Sequence, residues 1–148
     1  MTDCMLPNGS FLIELPEAND ERGALTFATA GQEIPFPIQR VFWIHGIPAG
    51  ARRGGHCHNT CSEVVVAVQG AFRMVVDDGR VRGSVWMDSP RRGILVPAGM
   101  WCELTDFEPG TVVMVMASHP YDASGYCHRY EEFLKKNNNN DCTLPVNQ

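Results

Sequence analysis

Two histidines and one glutamate are the residues of this sequence best suited to proton transfer or metal binding. His56 and His58 are separated by one residue, so in a strand their side chains lie on the same face while Cys57 points to the other. Imidazole has an unperturbed pKa of about 6.5, which suits a base that works near neutral pH. The sequence therefore predicts a wall that carries two imidazoles able to exchange protons with a ligand.

Glu63 belongs with these histidines only if the chain changes direction between them. It follows His58 by five residues, an odd offset that puts the two side chains on opposite faces of one continuous strand. We therefore predict a turn or bulge through residues 59–61. With that turn, the three residues and the later Cys102 also form a plausible set of divalent-metal ligands, consisting of two imidazoles, a carboxylate and a thiolate.

The elements that must position these residues are predicted to be short β-strands. Most of the chain alternates runs of high β-propensity with Gly, Pro or Asp, and Asp78-Gly79 is the residue pair that tight hairpin turns prefer. Many short strands separated by turns indicate a sandwich or a barrel. The runs are residues 11–15, 24–28, 38–44, 64–68, 71–76, 81–87, 93–96, 101–107 and 111–118.

Only one segment has helical periodicity. From Gly125 to Lys136, apolar side chains recur at spacings that form a single stripe, and the polar run Asn137–Asn140 is predicted to end the helix. The stripe consists of Tyr126, Tyr130, Phe133 and Leu134. We expect one domain over residues 1–148, with a core at about 20–135 and a mobile polar tail at about 137–148.

Arg40 occupies an unusual position in the run 38–44. Strict alternation places it on the same face as Phe42 and Ile44, and Val41 and Trp43 on the other face. An arginine on an apolar face needs a partner. Two interpretations follow, namely a structural ion pair or a side chain that reaches into a ligand cavity.

Composition excludes several classes of protein. The chain has 148 residues, 44% apolar and 20% charged, with a net charge of −5 that argues against a nucleic-acid binder. No apolar run approaches the ~20 residues that span a bilayer, and the first residues lack the basic segment of a secretory signal. We therefore predict a cytoplasmic protein without membrane contact, in which the six cysteines are free thiols.

The spacing around the histidines resembles that of the cupin superfamily. Its first motif is matched by Gly50, His56, His58, Glu63 and Gly70, and the segment 97–102 resembles its second motif, with Cys102 in place of a histidine. More narrowly, the chain resembles the nucleotide-sugar 3,4-ketoisomerases, cupins that act on dTDP-4-keto-6-deoxyglucose. The matching segments are residues 20–25, 34–41, 53–58, 77–79, Trp101, 121–122 and 130–133. The resemblance implies an all-β double-stranded β-helix, or jelly-roll barrel, with a short C-terminal helix.

The same resemblance implies an activity and a set of site residues. The keto group of a dTDP-linked 4-keto-6-deoxyhexose moves from C4 to C3 through an enediolate, in deoxysugar biosynthesis for surface polysaccharide, with no cofactor. His58 is implied as the base that shuttles the proton and His56 as its partner. Substrate contacts are implied for Arg40, Arg53, Glu63, Trp101 and Cys102.

A homodimer is expected as well, both from similar cupins and from two long apolar runs. Residues 64–68 and 112–116 are apolar on both faces, which predicts that one face packs inside the barrel and the other against a second subunit.

Three departures from the family pattern keep two alternative functions open. The family carries tyrosine where this chain has Phe42-Trp43, glutamine at the position of Glu63, and histidine at the position of Cys102. The last two changes complete the possible metal set, which favours a metal-dependent cupin enzyme. The loss of the phenol instead favours a sugar-binding cupin without catalytic activity.

Overall fold

Two five-stranded antiparallel sheets and one short hairpin make up most of the computed structural model, which describes residues 3–141, with side chains up to residue 138. The strands are β1 (Leu12–Glu14), β2 (Glu17–Asp20), β3 (Gly23–Thr26), β4 (Arg40–Ile44), β5 (Arg53–His58), β6 (Glu63–Gln69), β7 (Phe72–Asp77), β8 (Arg82–Met87), β9 (Arg92–Val96), β10 (Trp101–Thr105), β11 (Val112–Ala117) and β12 (Tyr126–Cys127). A 3₁₀ turn at Ala123–Gly125 precedes β12, and the helix α1 spans Tyr130–Asp141.

The order of the strands shows that the chain passes back and forth between the two sheets. The first sheet has the order β1-β9-β6-β11-β4 and the second the order β12-β5-β10-β7-β8, while β2 and β3 form the separate hairpin. From β4 onward, strands that are consecutive in sequence lie in opposite sheets, except for β7 and β8, which pair with each other. This is a jelly-roll arrangement, and it confirms the predicted all-β fold class.

The core lies between the inner faces of the two sheets. Strict alternation along each strand supplies it with apolar side chains, as the strand runs predicted. Its largest fully buried members are Phe72, Met74, Met87, Ile94, Val76, Val96 and Val113. The alternation predicted for β4 is also confirmed, because Val41 and Trp43 are exposed while Phe42 and Ile44 pack against this core.

The outer face of the first sheet is covered by the chain itself. Ile34, Phe36 and Ile38, from the segment before β4, pack on Val64 and Val66 of β6. The prediction that this face of the two apolar runs packs against a second subunit is therefore wrong for these positions. Leaving such valines in water would forfeit roughly 1.5–3 kcal/mol each, and a segment of the same chain prevents that loss.

The predicted helix begins five residues too early. It starts at Tyr130 rather than Gly125, since Tyr126 and Cys127 form strand β12 beside β5. It also continues through the asparagine run, although asparagine is a weak helix former, and the side chain of Asn137 donates a hydrogen bond to the carbonyl of Asp78. Most of the predicted mobile tail, from residue 142 onward, lies outside the described residues.

Two further expectations can be compared with the described part of the chain. Cys4, Cys57, Cys61, Cys102 and Cys127 are free thiols, as predicted, whereas Cys142 lies beyond residue 141. No helix within residues 3–141 is long and apolar enough to cross a bilayer.

Candidate active site

The crossing between sheets brings His58 and Glu63 together. His58 ends β5 in the second sheet and Glu63 begins β6 in the first, so residues 59–62 form the bend that the odd offset predicted. Both side chains are buried, and His58 Nε2 lies 2.9 Å from Glu63 Oε1. Nε2 nevertheless has no hydrogen-bond partner within the described part of the chain. The pair is thus a close contact between an imidazole and a carboxylate whose hydrogen-bonding capacity is not used up.

His56 completes the predicted pair of imidazoles. Its ring centroid lies 4.7 Å from that of His58, and the two rings are nearly perpendicular, at 84°. A bulge in β5 sets its position, since the pairing with β10 shifts between Cys102 and Glu103. Gly54 has a φ of +75°, and a Cβ there would lie 2.8 Å from the carbonyl oxygen of Cys102. Glycine is therefore required at the bulge that places His56 opposite Cys102.

The environment of His56 keeps its ring neutral. Its pKa is lowered from 6.5 to about 4, chiefly by burial and also by the neighbouring His58, while Glu63 acts in the opposite direction. Burial disfavours the charged form of an imidazole because the ring loses its hydration. At neutral pH His56 can therefore donate one hydrogen bond and accept another, but it carries no charge.

Two adjoining cavities open around these rings. The first, which we term the barrel cavity, has a volume of about 170 Å³ and lies between the sheets. The second, the rim cavity, has a volume of about 250 Å³. His58 and Tyr126 line both. The polar lining of the barrel cavity comprises Arg53, His56, His58, Glu63, Cys102 and Tyr126, and that of the rim cavity includes Arg40, Thr60, His119, Tyr121 and Asp122.

Arg40 projects toward the rim cavity rather than into an ion pair. Its guanidinium carbon lies 5.0 Å from the ring centroid of Phe42 and 5.7 Å from that of Tyr121. Its Nε atom is buried and has no hydrogen-bond partner among the described residues. Of the two interpretations of this arginine, the structure agrees with the ligand cavity, because a cation with unused donors faces an open space.

A metal could be held by three of the four residues that the sequence suggested. One ligand atom from each of His56, His58 and Glu63 lies within 4.8 Å of the others, and Cys102 is outside this group. The Cys102 thiol is fully buried, and burial raises its pKa, with a further increase from the charge of Glu63. The four-ligand set with a thiolate is therefore wrong, and the arrangement consists of two imidazoles and one carboxylate.

Comparison with known proteins agrees with this geometry. Residues 8–138 match the protein family described as FdtA, "WxcM-like, C-terminal". The chain belongs to this family. It is 35% identical over 124 residues to a TDP-4-oxo-6-deoxy-alpha-D-glucose-3,4-oxoisomerase from Aneurinibacillus thermoaerophilus, an alignment that covers 84% of this chain and 89% of the relative.

Solved structures extend the comparison to three dimensions. A 3,4-ketoisomerase from Helicobacter canadensis superposes with a TM-score of 0.85 and 31% identity, covering 88% of this chain and 98% of that one. QdtA, a sugar 3,4-ketoisomerase from Thermoanaerobacterium thermosaccharolyticum solved in complex with TDP, gives 0.86 and 26%, with 90% and 97% coverage. The cupin-type fold predicted from the histidine motif is confirmed by these FdtA-like neighbours.

One predicted site residue does not face either cavity. Trp101 is only 5% exposed and packs with Cys57, Cys127 and Phe133 beneath α1. It adjoins Cys102 in β10, and neighbouring residues of a strand point to opposite faces, so both could not contact the same ligand. The predicted stacking of Trp101 on the substrate is wrong, because this indole belongs to the outer side of the wall.

The sequence reasoning missed Tyr126, which the structure places at the centre of the site. Tyr126 was assigned to the helical stripe, yet it lies directly opposite His58 in the β5–β12 pair, with the ring centroids 4.5 Å apart. His119 and Tyr121, which line the rim cavity, were also not identified. No local pattern signals these residues, since a two-residue strand that pairs with a distant one leaves no periodicity to detect.

Proposed function

We propose that this chain is a nucleotide-sugar 3,4-ketoisomerase that converts dTDP-4-keto-6-deoxyglucose into the 3-keto isomer, in deoxysugar biosynthesis. The observation that carries the proposal is the buried His58, which lines both cavities and holds its Nε2 2.9 Å from Glu63 Oε1. Family membership, the substrate named for the relative that is 35% identical and the TDP complex of QdtA support the same substrate class.

The reaction requires a base on one side of the sugar. We assign to His58 the removal of the C3 proton, which gives an enediolate, and the delivery of a proton to C4. The ring becomes positively charged between the two steps. The carboxylate of Glu63, 2.9 Å from Nε2, stabilises that charge, because opposite charges attract strongly in a site that excludes water.

The enediolate also needs a hydrogen-bond donor for its oxygen. His56 is suited to this role, since its ring remains neutral at working pH and lies beside His58 in the barrel cavity. A positioned donor of this kind is typically worth about 10²–10³ in rate. Cys102 lines the same cavity, and we assign it a contact with the sugar.

The diphosphate is assigned to the arginines at the openings. Arg40 in the rim cavity and Arg53 in the barrel cavity both present a guanidinium, the group that binds phosphate oxygens in pairs. Two other arginines are engaged elsewhere, as Arg82 lies 2.9 Å from Asp77 and Arg91 lies 3.4 Å from Glu17. The sugar then occupies the barrel cavity and the nucleotide extends past the rim.

We further propose a cytoplasmic homodimer. Strand β4 forms an edge of the first sheet and exposes Val41 and Trp43. Phe27 and Val68 are exposed beside Met114, the strand partner of Trp43. Exposed apolar side chains grouped in this way are typical of an interface. Light scattering of the wild type should give twice the monomer mass, and Trp43→Glu should shift it toward the monomer.

The test of the activity is direct. Incubation of the purified chain with dTDP-4-keto-6-deoxyglucose should produce the 3-keto isomer, detected by nuclear magnetic resonance. The UDP- and GDP-linked 4-ketosugars serve as comparison substrates. Absence of turnover on all of them, together with retained dTDP binding, would favour a sugar-binding protein without catalytic activity.

A metal-dependent cupin enzyme is the second candidate, because His56, His58 and Glu63 bring their ligand atoms within 4.8 Å of one another. Two imidazoles and a carboxylate on one side of an open site suit a catalytic divalent ion. Elemental analysis of protein purified without added metal separates the two candidates. One ion per chain, with turnover lost on chelation, would overturn the proposed metal-free mechanism.

A further inference from the structure

Tyr126 lies closer to the two imidazoles than any other aromatic side chain among the described residues. The β5–β12 pairing sets it directly opposite His58, so the two side chains share the inner face of the wall. Its ring centroid lies 4.5 Å from that of His58 and 5.1 Å from that of His56. Tyr126 is half-buried and lines both the barrel cavity and the rim cavity.

The proposed isomerisation moves two hydrogens, and His58 accounts for only one of them. One proton passes from C3 to C4. A second must leave the hydroxyl oxygen on C3 and reach the oxygen on C4, because the ketone and the alcohol exchange places. The group that relays this second proton must be able both to donate and to accept while it contacts two neighbouring oxygens.

His56 is poorly suited to that relay. Burial depresses its pKa to about 4, so it is a weak proton acceptor. Arg40 and Arg53 do not give up their protons. Cys102 is buried, and its thiol has a raised pKa for the same reason. Among the polar groups that line the barrel cavity, Tyr126 supplies a neutral phenol that can both donate and accept.

We propose that the hydroxyl of Tyr126 contacts the sugar and relays the proton between its two oxygens, as a second catalytic residue beside His58. In the first step His58 takes the C3 proton while Tyr126 gives its phenolic proton to the oxygen on C4. In the second step the hydroxyl on C3 returns a proton to the phenolate, the C3 ketone forms, and His58 gives its proton to C4. Both side chains end as they began, and no oxidant or reductant is consumed. The inference rests on the proposed ketoisomerase function.

A packing role is the competing explanation. The ring of Tyr126 is parallel to that of His128, with an interplanar angle of 2° and a centroid distance of 5.5 Å, and lies 6.0 Å from that of Tyr121. These contacts involve the ring and not the hydroxyl. The variant Tyr126→Phe therefore retains the packing and removes only the proposed relay.

The test compares three variants on dTDP-4-keto-6-deoxyglucose. We expect Tyr126→Phe to lower kcat by about 100-fold or more while KM and the Kd for dTDP change by less than about twofold. Tyr130→Phe is the matched control, because its hydroxyl donates to Asp77 Oδ2 at 2.7 Å outside both cavities, and its kcat should stay within about twofold of wild type. Tyr126→His supplies a ring that can donate and accept protons, and should be about tenfold more active than Tyr126→Phe.

The outcomes separate this inference from the proposed function. A wild-type enzyme that turns over while Tyr126→Phe stays within about threefold of its kcat overturns the relay and leaves the ketoisomerase intact. If Tyr126→Phe is more active than Tyr126→His after the rates are normalised to the folded fraction, the result supports a packing role for Tyr126. That result also overturns the relay. Absence of wild-type turnover overturns the proposed function and the relay together.

Discussion

The two faces of one wall, formed by β5, β10 and β12, carry different kinds of side chain. The inner face carries His56, His58 and Tyr126, which line the cavities. The outer face carries residues that alternate with them along the same strands and are covered by α1. These outer residues are Cys57, Trp101 and Cys127, with Phe133 of the helix packed on them.

Of the four buried polar side-chain atoms without a hydrogen-bond partner among the described residues, two belong to residues that line the cavities, and the others are Arg73 Nη2 and Arg92 Nε. On the outer face, apolar side chains fill the space under the helix. On the cavity side, His58 Nε2 and Arg40 Nε are buried without hydrogen-bond partners among the described residues. An unpaired buried polar group costs about 1–3 kcal/mol, so its presence beside a cavity indicates a place for a polar ligand. Function and stability are thus assigned to alternate residues of the same strands.

The largest effect should follow from removing the base on the inner face. His58→Asn is expected to lower kcat by about 10³-fold, equivalent to about 4 kcal/mol of transition-state stabilisation, with little change in the denaturant midpoint. His45→Asn is the matched control, because His45 is exposed and outside both cavities. If His58→Asn retained a tenth or more of the activity, it would have lost at most about 1.4 kcal/mol of transition-state stabilisation. That result would contradict the assignment of His58 as the base.

The outer face should respond in the opposite way. Trp101→Ala leaves a cavity under α1 and should lower the free energy of unfolding by about 3 kcal/mol. Its affinity for dTDP should be unchanged, since the indole does not reach the site. Chemical denaturation and calorimetric titration measure the two quantities. A fall in dTDP affinity of about tenfold would indicate that Trp101 contacts the substrate. It would also contradict the distinction between the two faces of the wall.

Acid should weaken the protein through His56. Its folded pKa of about 4 lies below the unfolded value of 6.5, so the unfolded chain binds a proton first as the pH falls. Stability is therefore full above about pH 6.5 and decreases toward pH 4, by about 2 kcal/mol after allowance for the partly exposed ring. Denaturation at several pH values should show this slope, and His56→Asn should remove that part of it. An identical slope in the variant would exclude His56 as its source.

The smallest effect is expected at the rim. Arg40→Gln should raise the Kd for dTDP by about tenfold, or about 1.4 kcal/mol, and the difference should narrow at high salt because phosphate contacts are screened. Arg129→Gln is a control for the loss of a charge, since Arg129 is exposed and lies near Glu131 and Glu132. If wild type and Arg40→Gln bind dTDP with equal affinity, Arg40 does not contact the diphosphate.

Much of the inner face could be predicted because its signals are local. The one-residue spacing of His56 and His58 places both on one face, and the odd offset to Glu63 requires the bend that carries the chain into the other sheet. Alternation likewise placed Arg40 on the inner side of β4. In each case a period of two along a strand was sufficient.

The remaining features depend on contacts between distant parts of the chain. Tyr126 fits a helical stripe by spacing, but pairing with β5 draws it into a strand, and tertiary contacts routinely override local propensity. The segment 28–38 covers β6 and β11 where a second subunit was expected, because hydrophobic periodicity identifies a buried face without identifying what covers it. Trp101 and Cys102 are adjacent in one strand, so the alternation rule alone predicts that they point to opposite faces of the wall.

The most direct test of the central claim is the fate of the carbon-bound hydrogen. Wild-type protein incubated with dTDP-4-keto-6-deoxyglucose in deuterated water should give the 3-keto isomer with deuterium at C4, since a histidine that holds the proton between steps exchanges it with solvent. His58→Asn should give no labelled product. A 3-keto product formed by His58→Asn at the wild-type rate, or an ion required for the conversion, would contradict proton transfer by this imidazole.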